Sequence, residues 1–181
     1  VYPEYLEADT RDEIVKAVRK NMLFGAKVIK ICVDCKPYGY SIDDMKLFVS
    51  EAANAGLKVA GHVQTREGAR RAIEAGIWSI EHWGPLDDEL HKMMAAKGVW
   101  RAGTETPPSV NRGSKETFER TVAGMKNAHA NKVQMAYSTE GSYVPGMTRG
   151  EYAINVLVSW NEAGIPAPEI LRIMTSNGYK I

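Results

Sequence analysis

Cysteines, long apolar runs and net charge are all scarce in this sequence of 181 residues. Its two cysteines are too few to hold a domain of this size together, and a reducing cytoplasm is the expected compartment. The apolar runs are only a few residues long, whereas a membrane-spanning helix needs about 20 residues. The N-terminal segment VYPEYLEADTRDE is acidic and has no apolar core, so we expect no signal peptide.

The charged residues nearly cancel, since 23 Lys and Arg stand against 22 Asp and Glu for a formal net charge of +1. We therefore expect neither a nucleic-acid partner nor a membrane-surface partner. The sequence also lacks a G-x-G-x-x-G after a predicted strand, a Walker A loop and a G-x-S-x-G elbow, so dinucleotide binding and serine-hydrolase chemistry have no support. The composition, 44% hydrophobic and 25% charged, is that of a globular protein, and the length permits one domain with a full core.

What the sequence does contain is a regular alternation of predicted helices and short strands. The predicted strands are residues 28–33, 57–63, 77–83, 99–104 and 133–139, and the predicted helices are residues 10–24, 41–56, 65–76, 86–98, 115–131, 149–163 and 167–176. Helices lead into strands through glycine in FGAKVIKI, NAGLKVAGH, EAGIWSIEH and AKGVWRAG. This alternation predicts an α/β fold with a parallel sheet, as an open sheet or as part of a (β/α)₈ barrel.

Ionisable side chains stand at or near the ends of the predicted strands. Lys30 lies in the first strand, His62 and His82 end the second and third, and Glu140 follows the fifth. In parallel α/β folds the carboxyl ends of the strands surround one cleft. Imidazole and carboxylate groups are ligands for zinc and similar divalent ions. The pattern therefore predicts a metal or catalytic site formed by these four residues.

Each of these residues also has a purely structural interpretation. The amine of Lys30 could pair with a neighbouring carboxylate, because buried lysines are rare unless paired. His62 and His82 could each be core histidines with satisfied hydrogen bonds, and Glu140 could be a loop residue beside Gly141. The same relative position on successive strands favours the functional interpretation for the two histidines.

The cysteines and the remaining histidines carry weaker signals. Cys32 and Cys35 form a C-x-x-C at the end of the first strand, but no helix begins at the first cysteine. Packing is therefore favoured for Cys32 over a redox or metal function of the pair. His91 is predicted on an exposed or half-exposed helix face, and His129 near a helix C-terminus, where the dipole accounts for it.

Three segments, GAKVIKICVD, AANAGLKVAGHVQTREGARRAIEAGIWSIEHW and YSTEGSYVPG, together resemble the metal-dependent amidohydrolase superfamily. The similarity is to its imidazolonepropionase-like and Xaa-Pro dipeptidase-like branch, and it extends from about residue 12 to the C-terminal LRIMTSNGYKI. The resemblance implies hydrolysis of an amide or other C–N bond, in a small amide or dipeptide-like substrate, by metal-activated water. One or two divalent ions, with zinc expected, would be the cofactor.

The resemblance also implies a role for each strand-end residue. Lys30 falls where the family has a lysine on barrel strand four that is often carbamylated and bridges two metals. His62 and His82 fall on the metal-ligand histidines of strands five and six. Glu140 falls where the family has an aspartate that binds metal and acts as general base.

Two departures from the family pattern qualify this expectation. The family's opening H-x-H motif is absent, since no H-x-H occurs in the sequence, and strands one to three and the flanking β-sandwich are missing. Residues 1–181 are thus expected to form one partial barrel domain, strands four to eight, with open edges at residues 28–33 and 133–139. Such edges favour pairing with a missing segment, another chain or a second copy. The second departure is Glu140, which has one more methylene than aspartate.

Two other functions remain as alternatives at this point. The chain could be a non-catalytic fragment or remnant that keeps the fold but has lost the complete metal site. It could also be a Schiff-base lyase in which Lys30 is the nucleophile.

Overall fold

A computed structural model describes residues 6–35, 38–82, 86–104, 114–139 and 144–181. Helices and strands alternate through these residues as the sequence predicts. The helices are α1 (Arg11–Leu23), α2 (Ile42–Ala53), α3 (Arg66–Ala75), α4 (Asp88–Lys97), α5 (Lys115–Ala130), α6 (Arg149–Glu162) and α7 (Ala167–Met174). The strands are β1 (Val28–Cys32), β2 (Lys58–His62), β3 (Ser79–Glu81), β4 (Trp100–Gly103) and β5 (Met135–Tyr137), and a 3₁₀ turn covers Ser176–Tyr179.

The five strands form one parallel sheet in the order β1-β2-β3-β4-β5. Spatial order therefore equals chain order, whereas a doubly wound sheet reverses its strand order partway through. Successive helices pack on one another from α1 to α4, which places them in one layer over one face of the sheet. This arrangement confirms the predicted α/β fold and is that of one segment of a (β/α)₈ barrel wall.

Local sequence signals set where the helices begin and end. Ser41 caps α2 and forms a capping box with Asp44, as its sequence predicts, because each side chain binds the backbone N–H of the other. Gly76 and Gly98 end α3 and α4 in the left-handed conformation, with φ of 85° and 68°. A residue with a Cβ would be strained there, so these glycines fix the turns into β3 and β4.

The hydrophobic core lies between the sheet and the helices. On β1, Ile29 and Ile31 are buried under this layer, whereas Val28 is 50% exposed on the opposite face. The helices contribute fully buried side chains that include Ile14, Met45, Ile73, Leu90 and Met94. The face of β1 that would line a barrel interior is therefore open to solvent.

Strands β1 and β5 are the two outer strands of the sheet, as the open-edge prediction requires. The end of the chain covers part of this sheet. The Asn177 side chain donates a hydrogen bond to the Met135 carbonyl (2.8 Å), and the Trp78 indole donates to the Ile181 carbonyl (3.0 Å). Pairing of either edge with further chain remains a prediction.

The prediction of an exposed or half-exposed His91 is wrong, because its side chain is completely buried. His91 Nδ1 lies 2.6 Å from Asn127 Oδ1 on α5, and Asn127 Nδ2 donates to Asp88 (2.9 Å). Burial lowers the pKa of His91 below its ordinary value, and the positive charge of Arg101 acts in the same direction. The acidic residues at the start of α4 do not reveal that α5 packs against His91.

Because burial lowers the pKa of His91, the fold should lose stability in weak acid. The unfolded chain takes up a proton near the ordinary pKa of 6.5 and the folded chain only at a lower pH, so stability is full above pH 6.5 and falls below it. His91→Gln keeps a donor for Asn127 and removes the titration. We expect the urea midpoint of the unchanged chain to fall more than that of His91→Gln between about pH 7.5 and about pH 5. Equal decreases would contradict this account.

Candidate metal and catalytic site

The candidate site lies at the carboxyl ends of β1, β2 and β3. Cys32, His62 and Glu81 are direct neighbours across these strands, because Cys32 pairs with His62 and His62 with Glu81. Residues paired across parallel strands point to the same face, and Lys30, two residues before Cys32, shares it. The sequence therefore places these four side chains together on the face opposite the helices.

His82 joins the same face through an unusual backbone conformation. Side chains alternate along a strand, so an extended chain would direct His82 away from Glu81. Instead, His82 has a φ of +67°, in the left-handed region that non-glycine residues seldom adopt. Its ring lies 4.5 Å from the His62 ring, measured between centroids. Strain of this kind is typical of functional sites, so the conformation supports a role for His82.

Each imidazole of this pair has a further polar neighbour. His82 Nδ1 lies 3.2 Å from the hydroxyl of Thr104, and His62 Nε2 lies 3.4 Å from the Gln64 amide nitrogen. Contacts of this type orient histidine rings and select which nitrogen is left for a ligand.

Lys30 lies beside the histidines and pairs with a carboxylate. Its Nζ is 3.9 Å from Glu81 Oε2, and the Glu81 side chain also accepts a hydrogen bond from the Ser79 hydroxyl (2.6 Å). The Lys30 side chain is 42% exposed and that of Glu81 is 17% exposed. The ion pair is the contact expected under the structural interpretation of Lys30. Among the predicted site residues, Lys30, His62 and His82 thus come together, and Glu140 lies outside the described residues.

The donor set fits a divalent ion. Two neighbouring imidazoles are ligands of the type that zinc and similar ions take in proteins, and His62 and His82 are the residues that would hold the ion. Glu81 is the strand neighbour of His62, and its carboxylate is paired with Lys30. In the structure Lys30 is an amine that pairs with Glu81. Carbamylation of Lys30 therefore remains an expectation that rests on the resemblance.

An aspartate that the sequence did not single out holds this edge of the sheet in place. Asp34 accepts hydrogen bonds from the backbone N–H of Gln64 (2.7 Å) and from both the backbone N–H (2.8 Å) and the hydroxyl (2.6 Å) of Thr65. These bonds, the Asp34 bridge, tie the segment after β1 to the segment after β2. Thr65 also caps α3. Only the spatial pairing of the two strands reveals this contact, because the residues are 30 and 31 positions apart.

The two cysteines form a disulfide beside His62. Their Cα atoms are 5.6 Å apart, within the range for disulfides. Cys32 is half-buried and Cys35 is exposed, so neither cysteine is fully buried in the hydrophobic core. The two sulfurs and a ring nitrogen of His62 all lie within 4.8 Å of one another.

Comparison with known proteins identifies the family. Residues 5–181 match the amidohydrolase family. Ochratoxinase of Aspergillus niger is 34% identical in an alignment 108 residues long, and the alignment covers 55% of this chain and 22% of that protein. No helix in the described part of the chain has the length and apolar character needed to span a membrane.

Solved structures show the same architecture. The crystal structure of A. niger ochratoxinase has a TM-score of 0.77 at 25% identity and matches 94% of this chain and 42% of its own. A Xaa-Pro dipeptidase with bound methionine in the active site has a TM-score of 0.80 at 24% identity, over 96% of this chain and 48% of its own. The chain thus spans less than half the length of these solved relatives. The match over residues 5–181 shows that the chain belongs to the amidohydrolase family.

Proposed function

We propose that this chain carries part of the active site of a metal-dependent hydrolase that cleaves amide or related C–N bonds. The observation that carries the proposal is the approach of the His62 and His82 rings to 4.5 Å at the carboxyl edge of the sheet. His82 reaches that position only through a left-handed backbone, a conformation that packing of a core histidine does not require. Membership of the amidohydrolase family supports the reaction class.

Within this proposal the described residues bind the metal ion and orient its ligands. His62 and His82 would hold the ion through imidazole nitrogens, and the contacts with Thr104 and Gln64 orient the two rings. A divalent ion held there, with zinc the expected metal in one or two copies, would polarise an amide carbonyl and acidify a water molecule. Lys30 and Glu81 place a positive and a negative charge beside the histidines.

Glu140 is proposed as the general base that takes the proton of the attacking water. A carboxylate after the last strand of the sheet fits this role, because the carboxyl ends of all the strands face one cleft. The longer side chain of glutamate displaces the carboxylate relative to aspartate. A displacement of about 1 Å can lower the rate by about 100-fold.

The substrate class is proposed from the name of one relative. A Xaa-Pro dipeptidase is among the similar structures, and its name supports a small amide or dipeptide-like substrate. The sequence has no H-x-H, β1 is an edge strand, and Val28 is 50% exposed on the face that would line the barrel interior. We therefore propose that further metal ligands come from chain that completes the barrel.

Metal analysis and hydrolysis assays test this function together. Purified chain, oxidised so that the cysteines do not bind metal, is loaded with zinc, desalted and analysed for bound metal, then incubated with N-acyl amino acids and Xaa-Pro dipeptides. We expect at least one zinc per chain and slow hydrolysis, raised by Glu140→Asp by up to about 100-fold and abolished by Glu140→Gln. A chain that binds no zinc would overturn the proposal and favour a remnant that keeps only the fold. Trapping of a substrate carbonyl on Lys30 by borohydride would favour the lyase instead.

A further inference from the structure

Cys32 and Cys35, which the hydrolase mechanism does not use, form a cluster with His62. The two sulfurs and a ring nitrogen of His62 lie within 4.8 Å of one another. Two thiolates and one imidazole are a soft donor set that favours zinc and similar thiophilic ions over ions that prefer oxygen ligands, such as magnesium and calcium. In the disulfide form the sulfurs are bonded to each other and are not available as thiolate ligands.

The surrounding structure keeps this cluster together. Cys32 and His62 are direct neighbours in the ladder between β1 and β2, and the backbone N–H of Val33 donates to the His62 carbonyl (2.9 Å). The Asp34 bridge lies between the two cysteines in sequence and fixes their turn against the segment that follows His62. Backbone pairing thus positions Cys32 and His62, and the three hydrogen bonds to the Asp34 carboxylate hold the turn that carries Cys35.

We propose that Cys32, Cys35 and His62 form a redox-controlled site for a thiophilic divalent ion. In the reduced chain the two thiolates and the His62 imidazole bind the ion, with water completing a tetrahedral shell. In the oxidised chain the disulfide removes two of the three ligands, the ion leaves, and His62 is available to the site that it shares with His82. This control of His62 rests on the proposed function of the two histidines.

The oxidant is a small-molecule disulfide such as oxidised glutathione. Cys35 is the exposed cysteine, so its thiolate attacks one sulfur of the small disulfide and releases one glutathione thiolate, leaving a mixed disulfide. The Cys32 thiolate then displaces the second glutathione and forms the Cys32–Cys35 bond. Two protein thiols are oxidised and one glutathione disulfide is reduced to two thiols, and a dithiol reverses both steps.

Cobalt(II) is the probe that tests this site, because thiolate ligands give it an intense near-ultraviolet charge-transfer band that nitrogen and oxygen ligands do not. The full chain is reduced with a phosphine, separated from the phosphine without oxygen and titrated with Co²⁺. We expect the thiolate band to saturate at one equivalent and to disappear when oxidised glutathione is added. The matched control is Cys32→Ser/Cys35→Ser, which should lose the band and bind Co²⁺ at this site about 100-fold or more weakly.

Two further variants separate this proposal from the proposed hydrolase site. His82→Asn should keep the thiolate band of the reduced chain, whereas His62→Ala should weaken it by about 10-fold or more. Cys32→Ser/Cys35→Ser should still bind Co²⁺ through His62 and His82, without the band, if the hydrolase site is correct. A reduced, folded chain without a thiolate band at stoichiometric Co²⁺ overturns the redox-controlled site, whatever the histidines bind. A band that persists after oxidation to the disulfide also overturns it.

Discussion

A chain that carries both His62→Ala and His82→Asn should bind zinc more weakly than the unchanged chain by about 100-fold or more. Loss of a residue that only supports a metal ligand already costs about 10- to 100-fold in affinity. This double variant removes both imidazoles from a site in which the rings are 4.5 Å apart. The remaining described groups, the Lys30 and Glu81 pair, offer one carboxylate that is already engaged by a cation.

The substitutions are chosen so that the fold survives them. Asparagine adopts the left-handed conformation more readily than most residues, which suits position 82, where φ is +67°. Alanine at position 62 keeps the strand backbone and its ladder to β1 and β3. We expect the free energy of unfolding to change by less than about 1 kcal/mol. His82→Gly should relieve the backbone strain and raise the stability by about 1 kcal/mol while zinc affinity falls.

Zinc affinity is measured by competition with a chromophoric chelator, on chains oxidised so that the cysteines do not contribute. The matched control is His129→Asn, which removes an imidazole near the end of α5 and should leave the affinity unchanged. If the double variant bound zinc as tightly as the unchanged chain, the two histidines would be structural. If His129→Asn weakened binding equally, the measured zinc would be bound elsewhere.

The parts of the molecule that the sequence predicted are those set by local chemistry. The capping box of Ser41 and Asp44 involves residues only three positions apart, and Gly76 ends α3 through its own backbone conformation. The local sequence is therefore enough to predict both features. His62 at the end of β2 follows from the same reasoning, because a short apolar segment predicts both the strand and its last residue. The parallel order of the strands then follows from the helices that connect them.

The features that the sequence did not predict depend on contacts between distant residues or on backbone angles. The left-handed φ of His82 cannot be predicted from the sequence, because the residue is not a glycine. The burial of His91 is decided by α5, which contributes Asn127 from 36 positions away. The disulfide depends on a turn after β1 that brings Cys35 back beside the strand, and C-x-x-C spacing alone is compatible with several turns.

The largest expected loss of stability from a single methyl group is at Gly68, near the start of α3. In most helices glycine-to-alanine stabilises by about 0.5–1 kcal/mol. Here a Cβ would lie 2.8 Å from Asp34 Cγ and closer still to its Oδ2, and 3.1 Å from the Thr65 hydroxyl oxygen. Gly68→Ala must therefore displace the carboxylate that joins the two strand ends. We expect the free energy of unfolding to fall by about 3 kcal/mol, from overpacking and lost charge-assisted hydrogen bonds.

A double-mutant cycle with Asp34→Ala separates the clash from the loss of the bridge. Asp34→Ala alone removes the three hydrogen bonds to Gln64 and Thr65 without overpacking, and it should destabilise the chain. With that carboxylate gone, adding Gly68→Ala should cost nothing and should recover part of the ordinary helix gain, so the two changes will not be additive. Urea unfolding of the four chains measures this.

Additive losses would mean that the methyl group clashes with something other than Asp34, whereas the expected non-additivity identifies the bridge as the reason that position 68 is glycine. The same bridge positions Cys35 and His62, so Gly68→Ala should also weaken metal binding by the reduced chain.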